Sequence, residues 1–281
     1  MYYDERAEND LLFLSEDLTY MKVNKLPFIV HRNGMKIECT AYRRNDEVCT
    51  KQIPVILCHG FTSDQRSTAP YAKRLAEHGF AAFTFDFIGG GFETKSDGTM
   101  MDMTVFTEVE DLKAVINALK TRPAIDMNKL VVMGLSQGGF VAGLTAAQLQ
   151  SEIGRLIMFY PAVCIPDDAR RGSMQILRFD PNAVPDVLEA GRLKLSGEYA
   201  KCVMDMDALT EVSKYNGSVL LVHGTGDMIV PFHYAEDLFE AFSKKDTDQE
   251  IRFVSIPDAP HGFKNEFFEE ACEALFEYLE G

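Results

Sequence analysis

Ser136 stands in Gly134-Leu135-Ser136-Gln137-Gly138, after the apolar run Leu130–Met133 and before the small-residue run from Gly139. A serine hydroxyl attacks carbonyl carbon well only beside a base, and the base needs an acid to orient it. His261, in "DAPHGF", could be that base, and Asp227, in "LLVHGTGDMIVP", could be the acid. The order along the chain is then Ser, Asp, His.

Other residues compete for these roles. His233 follows Asp227 by six residues, too close in sequence to reach across to Ser136 comfortably. His31 belongs to an early hairpin and His78 to a helix end, both surface positions. His59, in "VILCHGFTSD", reads as a structural residue holding its loop. For the acid, Asp167 and Asp168 in "YPAVCIPDDA" follow the preceding strand and remain alternatives. Asp227 is preferred because its turn faces the strand that carries the histidine loop. The plainer reading of any of these aspartates is a turn or helix cap.

A Gly-x-Ser-x-Gly turn between a strand and a helix is the nucleophile elbow of α/β-hydrolases. The flanking glycines make room where a Cβ would strike the neighbouring strand or helix, and the bend lifts the hydroxyl above the sheet. The helix beginning at Gln137 aims its positive end at an oxyanion formed nearby. Two backbone N–H groups should hold that oxyanion, one from Gln137 and one from Phe61 in the loop after "VILCHG". The pentapeptide alone also suits a plain packing turn; the strand–turn–helix setting argues for catalysis. "IGGG", Ile88–Gly91, lacks the spacing of a nucleotide-binding fingerprint and reads as a tight loop beside the site.

These residues need a scaffold, and the sequence outlines one. Asn33-Gly34 between two β-rich runs, from Thr19 to Arg44, signals a hairpin. From "IPVILCHG" onward, near-continuous apolar strands alternate with helical patterns. The helix "MTVFTEVEDLKAVINALK" is capped by Asp102 or Thr104, and "NEFFEEACEALFEYL" closes the chain. That alternation predicts a mostly parallel sheet covered on both faces. The expected organisation is one domain over 1–281, with 163–213 as an inserted cap, because that stretch has several prolines and many charges but no buried-type strand.

Composition bounds the partners. The chain has 281 residues, 46% of them hydrophobic, and a net charge of −15. Such a charge repels nucleic acid and anionic membranes. No stretch looks transmembrane, and "MYYDERAENDLLFL" lacks the basic start of a secretory signal, so a cytoplasmic protein is expected. Cysteines 39, 49, 58, 164, 202 and 272 form no C-x-x-C pair and are expected as reduced thiols. No cofactor or metal is implied. A small-molecule ester is the expected partner, and a homodimer remains open.

Together "VILCHGFTSD", "FTFDFIGGGFETKSDG", "GLSQGG", "PAVCIPDDARRG" and "HGTGDMIVP" resemble the bacterial cinnamoyl (feruloyl) esterases of the α/β-hydrolase superfamily. The resemblance runs from the early hairpin to the C-terminus. It implies a cap that binds the phenolic ring of a hydroxycinnamoyl group, with Asp168 and Gln175 at the ring hydroxyls and Tyr199, in "LSGEYAKC", as a third contact. The chain departs from that family at Leu135, where those enzymes often carry histidine, and in the loop "IGGGFETKSDG".

The reading is a serine carboxylic ester hydrolase, with hydroxycinnamate esters (ferulate, caffeate, p-coumarate) as expected substrates and an acyl-enzyme intermediate. Alternatives are a general short-chain carboxylesterase, a serine aminopeptidase-like hydrolase, or a non-catalytic receptor on the same fold. An aminopeptidase would need an anionic subsite for the substrate amine, which the cap acids could supply. A receptor would commonly have lost a triad member.

Overall fold

The computed structural model describes residues 23–44, 52–245 and 248–281. The acidic N-terminal stretch, the start of the first β-rich run and Cys49 lie outside the described residues. Strands β1 (Val23–Arg32) and β2 (Met35–Arg44) form the expected hairpin. Arg32 pairs with Met35 across a two-residue turn in which Asn33 and Gly34 both have positive φ, 52° and 83°. Those values are what a hairpin turn matched to strand twist demands, and they suit Asn-Gly.

The alternating part follows. It comprises β3 (Pro54–Cys58), α1 (Ala69–Glu77), β4 (Ala81–Phe85), α2 (Val105–Leu119), β5 (Val131–Leu135), α3 (Gln137–Gln148) and β6 (Arg155–Phe159). Thr104 caps α2, and the bond is reciprocated by Thr107. This decides between the two caps that the sequence allowed.

The segment after β6 builds small elements instead of a long loop. They are α4 (Ile165–Arg170), the hairpin β7 (Ser173–Met174) and β8 (Leu177–Arg178), the hairpin β9 (Val187–Ala190) and β10 (Leu193–Ser196), then α5 (Glu198–Lys201) and α6 (Ala208–Val212). The sheet resumes with β11 (Ser218–Gly224), α7 (His233–Ser243) and β12 (Ile251–Ile256), and α8 (Glu266–Glu280) ends the chain.

The main sheet has eight strands in the order β1-β2-β4-β3-β5-β6-β11-β12. All neighbours from β4 to β12 are parallel; β1, β2 and β4 pair antiparallel. Each central strand feeds both faces. Ile56 and Val132 pack with α2, α3 and α7 on one side, while Val55, Leu57, Val131 and Met133 pack with α1 and α8 on the other. This two-sided burial explains why these strands read as unbroken apolar runs. The register brings the carboxyl ends of β3, β5, β6, β11 and β12 to one edge, with Cys58 opposite Gly134, Leu135 opposite Phe159 and Gly224 opposite Ile256. Among the described residues, no helix is long and apolar enough to cross a membrane.

Candidate active site

The bend between β5 and α3 is as sharp as its glycines require. A Cβ on Gly134 would lie 2.1 Å from the carbonyl oxygen of Gly138, and one on Gly138 would lie 2.4 Å from that of His59 and 2.5 Å from that of Cys58. Ser136 adopts φ 55° and ψ −121°, a conformation that a side chain normally avoids. Its backbone is pinned on both sides. The Ser136 N–H donates to Phe159 O, and its carbonyl accepts from Gly139, Phe140 and Ala162. The strain is therefore carried by strand β6 and the first turn of α3.

The three candidate residues converge. His261 Nε2 is 3.0 Å from Ser136 Oγ, and His261 Nδ1 is 2.7 Å from Asp227 Oδ2. A carboxylate only accepts, so Nδ1 carries the proton and Nε2 presents its lone pair to the serine. His261 sits in the loop after β12, and Asp227 in the turn after β11. Asp227 also accepts at Oδ1 from the backbone N–H groups of Ile229 and Val230, at 2.8 and 2.9 Å. Burial of Asp227 opposes its ionisation, but the hydrogen bonds from His223 and His261, with the positive charge His261 can carry, outweigh it. They hold the carboxyl below the usual carboxylate range.

His223 is a neighbour of Asp227 that the sequence reading passed over. It is fully buried on β11, and its Nε2 lies 2.9 Å from Val230 O and 3.3 Å from Asp227 Oδ2. It thus fixes the acid and the turn that holds it. The signal was a histidine inside an apolar strand, four residues before an aspartate.

Asp167 is spent elsewhere: Tyr234 Oη donates to one of its oxygens and Arg170 pairs with the other. His59 serves its loop. Its Nε2 accepts from the Phe87 N–H at 3.1 Å, so Nδ1 carries the proton and donates to Gly60 O at 2.9 Å. His31 and His78 are exposed, and His78 faces Glu280. The loop Ile88–Gly91 packs against the Phe61 loop, where a Cβ on Gly91 would strike Ser63 O at 1.8 Å.

Above Ser136 is a cavity of about 350 Å³. Phe61, Gln137, Ile165 and Tyr199 form its inner wall; Gln175, Ile176, Met228 and Ile229 stand at its mouth. Asp168, Gln175 and Tyr199 all line it. Asp168 is half-buried, and its Oδ1 pairs with Arg171 Nη2 at 2.5 Å. Burial raises its pKa even though Arg171 pulls the other way. Gln175 occupies the turn between β7 and β8 with φ 54°. Tyr199 presents its ring to the cavity but gives its hydroxyl to Gln137 Oε1. Neither the Phe61 nor the Gln137 N–H donates to another backbone group among the described residues. Among those residues, too, no group of three His, Cys, Asp or Glu side chains is arranged to hold a metal ion.

The sequence pattern of the family described as serine aminopeptidase, S33, matches residues 50–200, more than half of the chain. The chain belongs to that family of α/β-hydrolases. The pattern of the prolyl oligopeptidase family matches residues 169–280, the C-terminal stretch that carries Asp227 and His261. Among solved structures, Est1E from Butyrivibrio proteoclasticus with ferulic acid bound is 29% identical, with a TM-score of 0.81 over 90% of this chain and 97% of that one. The Pyrococcus furiosus esterase Pf2001, at 22% identity and a TM-score of 0.68 over 94% of each chain, shares the fold. An uncharacterized 31.7 kDa protein from the traX-finO intergenic region of Escherichia coli is 36% identical over 34% of this chain and 33% of its own length. The quorum-quenching protein AidA of Acinetobacter baumannii is 32% identical over 44% of this chain and 41% of its own. The chain thus matches about a third of the length of the first of these curated relatives.

Proposed function

We propose that the protein is a serine carboxylic ester hydrolase that cleaves hydroxycinnamate esters, with the inserted segment 163–213 as the cap that receives the phenolic ring. The observation that carries the reading is the continuous hydrogen-bonded line Ser136–His261–Asp227 opening into a cavity of about 350 Å³. That volume is at the lower end of small-molecule sites, roughly 300–1,000 Å³. In this reading His261 takes the proton from Ser136 Oγ as the oxygen attacks the ester carbonyl. The N–H groups of Phe61 and Gln137 receive the oxyanion, and His261 returns the proton to the leaving alcohol. Water then attacks the acyl-enzyme by the same route. Asp227 keeps the imidazole in the working tautomer and stabilises it when charged.

Support for the aromatic acyl group comes from the ring faces of Phe61 and Tyr199 in the wall, from Asp168 and Gln175 as partners for ring hydroxyls, and from the ferulic acid carried by the similar Est1E. An amine-binding site is less favoured. Asp168 is the cavity's carboxylate, and its charge is already met by Arg171. The test is a panel of methyl ferulate, methyl caffeate, chlorogenate, short p-nitrophenyl esters and amino-acid anilides. Hydroxycinnamate esters should give the highest kcat/KM and anilides no turnover. Anilide turnover above ester turnover would reject the proposal. Hydrolysis of short esters alone would leave a general carboxylesterase.

A further inference from the structure

A buried polar chain runs directly behind the proposed oxyanion hole. Gln137, next to the nucleophile, is 1% exposed. Its Nε2 donates to Glu108 Oε2 at 2.7 Å, and its Oε1 accepts from Tyr199 Oη at 2.5 Å. The Tyr199 ring stacks on Phe61, with centroids 5.6 Å apart and planes at 30°. One tyrosine therefore touches both residues whose N–H groups face the oxyanion, Phe61 through its ring and Gln137 through its hydroxyl. The three anchors come from different parts of the chain: Glu108 from α2, Gln137 from α3 and Tyr199 from α5 of the inserted segment.

The chemistry of Glu108 fits a supporting role. It is 1% exposed on the buried stripe of α2, and Gln137 Nε2 is its hydrogen-bond donor. Burial and the nearby Asp111 drive its pKa well above the carboxylate range. A neutral carboxyl here accepts from the Gln137 amide without leaving a charge in the core. The amide of Gln137 is then held at both ends, which fixes the side chain and limits rotation of the peptide that carries its N–H. Such donors act by being in place before charge develops.

We infer that Tyr199 and Glu108 are positioning residues for the oxyanion hole, and that docking of the inserted segment through Tyr199 completes it. This rests on the proposed roles of Ser136, Phe61 and Gln137. It also gives Tyr199 a task other than holding a ring hydroxyl of the substrate, and the two tasks predict different kinetics.

The experiment compares wild type, Tyr199→Phe, Glu108→Gln and Glu108→Ala on methyl ferulate and on p-nitrophenyl acetate, with Ser136→Ala as control and melting temperatures for all. Losing an oxyanion donor outright costs roughly 10²–10³ in kcat, so loosening one should cost about tenfold. Tyr199→Phe keeps the stacked ring and removes the hydroxyl. It should lower kcat about tenfold on both esters, with KM within about twofold. Glu108→Gln preserves an acceptor for Gln137 and should retain wild-type kcat, whereas Glu108→Ala should fall with Tyr199→Phe. Should Glu108→Ala fail to fold, the Tyr199→Phe and Glu108→Gln pair still decides. A Tyr199→Phe loss confined to methyl ferulate, or unchanged kcat on both esters, would overturn the inference. So would a Glu108→Gln loss as large as that of Tyr199→Phe. If instead Ser136→Ala keeps wild-type turnover, the proposed mechanism itself fails, and that outcome overturns the inference with it.

Discussion

Asp227→Asn tests the triad most sharply, because the structure specifies what the amide would meet. The wild-type carboxylate accepts from four donors: two backbone N–H groups at Oδ1, and His261 Nδ1 and His223 Nε2 at Oδ2. An asparagine whose oxygen stays on the two backbone donors turns its NH₂ toward the histidines, and His261 Nδ1–H then faces another donor at 2.7 Å. The imidazole escapes by moving its proton to Nε2, where it can no longer take the proton of Ser136. The expected loss is about 10⁴ in kcat, or about 5.5 kcal/mol of transition-state stabilisation. Folding should lose about 1.5–3 kcal/mol, the usual worth of a hydrogen bond to a charged group. Because Asp227 is held below the usual carboxylate range, its contribution to stability is complete above the unfolded value of about 3.9. It disappears as pH falls through the lower folded value. The stability gap between wild type and variant should therefore be widest near neutrality and narrow as pH falls below about 3.9. The assays are p-nitrophenyl acetate turnover and urea midpoints from about pH 7 down to about 3. Retention of kcat within tenfold, or a gap that does not narrow with acid, would refute the reasoning.

Other substitutions probe separate parts of the site. Ser136→Ala should abolish ester turnover and labelling by a fluorophosphonate, while folding stays intact and stability changes by about 1 kcal/mol, the usual worth of one hydrogen bond, in a denaturant melt. Asp167→Asn should leave kcat within about twofold of wild type, because its partners Tyr234 and Arg170 lie outside the triad; a loss matching that of Asp227→Asn would move the acid. Asp168→Ala should cost about 1–3 kcal/mol in kcat/KM on caffeate and ferulate esters while sparing p-nitrophenyl acetate, and an equal loss on both would make its role structural. Gly138→Ala would drive a Cβ to 2.4 and 2.5 Å from two backbone carbonyls at the end of β3. Neither can retreat freely, so a loss of about 3 kcal/mol or failure to fold is expected, read as a lowered melting temperature.

The elbow was legible because its chemistry is local: a serine between glycines, after an apolar strand and before a helix. The hairpin turn was legible for the same reason, since Asn33-Gly34 suits positive φ at both positions. What supports the site from behind was less so. Glu108 lies on the stripe Val105, Glu108, Val109, Leu112, Val115, Ile116, Leu119, and an acid on that stripe was the available signal. Its partner Gln137 comes from another helix, however, and Tyr199 from the segment inserted after β6, so their meeting is a product of packing. His223 sat on a strand that reads as buried, but its reach to Asp227 and Val230 depends on how the turn after β11 folds back. The hairpins of the inserted segment have strands of two to four residues, too short to show alternation. The β9–β10 turn is marked by Gly191 at positive φ, while in the β7–β8 turn the positive φ falls on Gln175, which nothing in the sequence flags.

Helix α3 is buried without interruption from Gln137 to Ala146, so the serine stands on an element enclosed by protein on every side. The far wall of the cavity belongs to the β7–β8 hairpin and the short helices α4 and α5. Short elements with few regular backbone hydrogen bonds tend to open before a sheet and its long helices do. The two halves of the site should therefore lose order at different temperatures. On gentle heating, the pocket wall would loosen first, while Ser136 keeps its geometry. On the proposed function, a protein built this way would forfeit its discrimination, and the rate enhancement proposed for Tyr199, before its chemistry. Hydrogen exchange would register that sequence as early exchange across 163–213 against late exchange along α3.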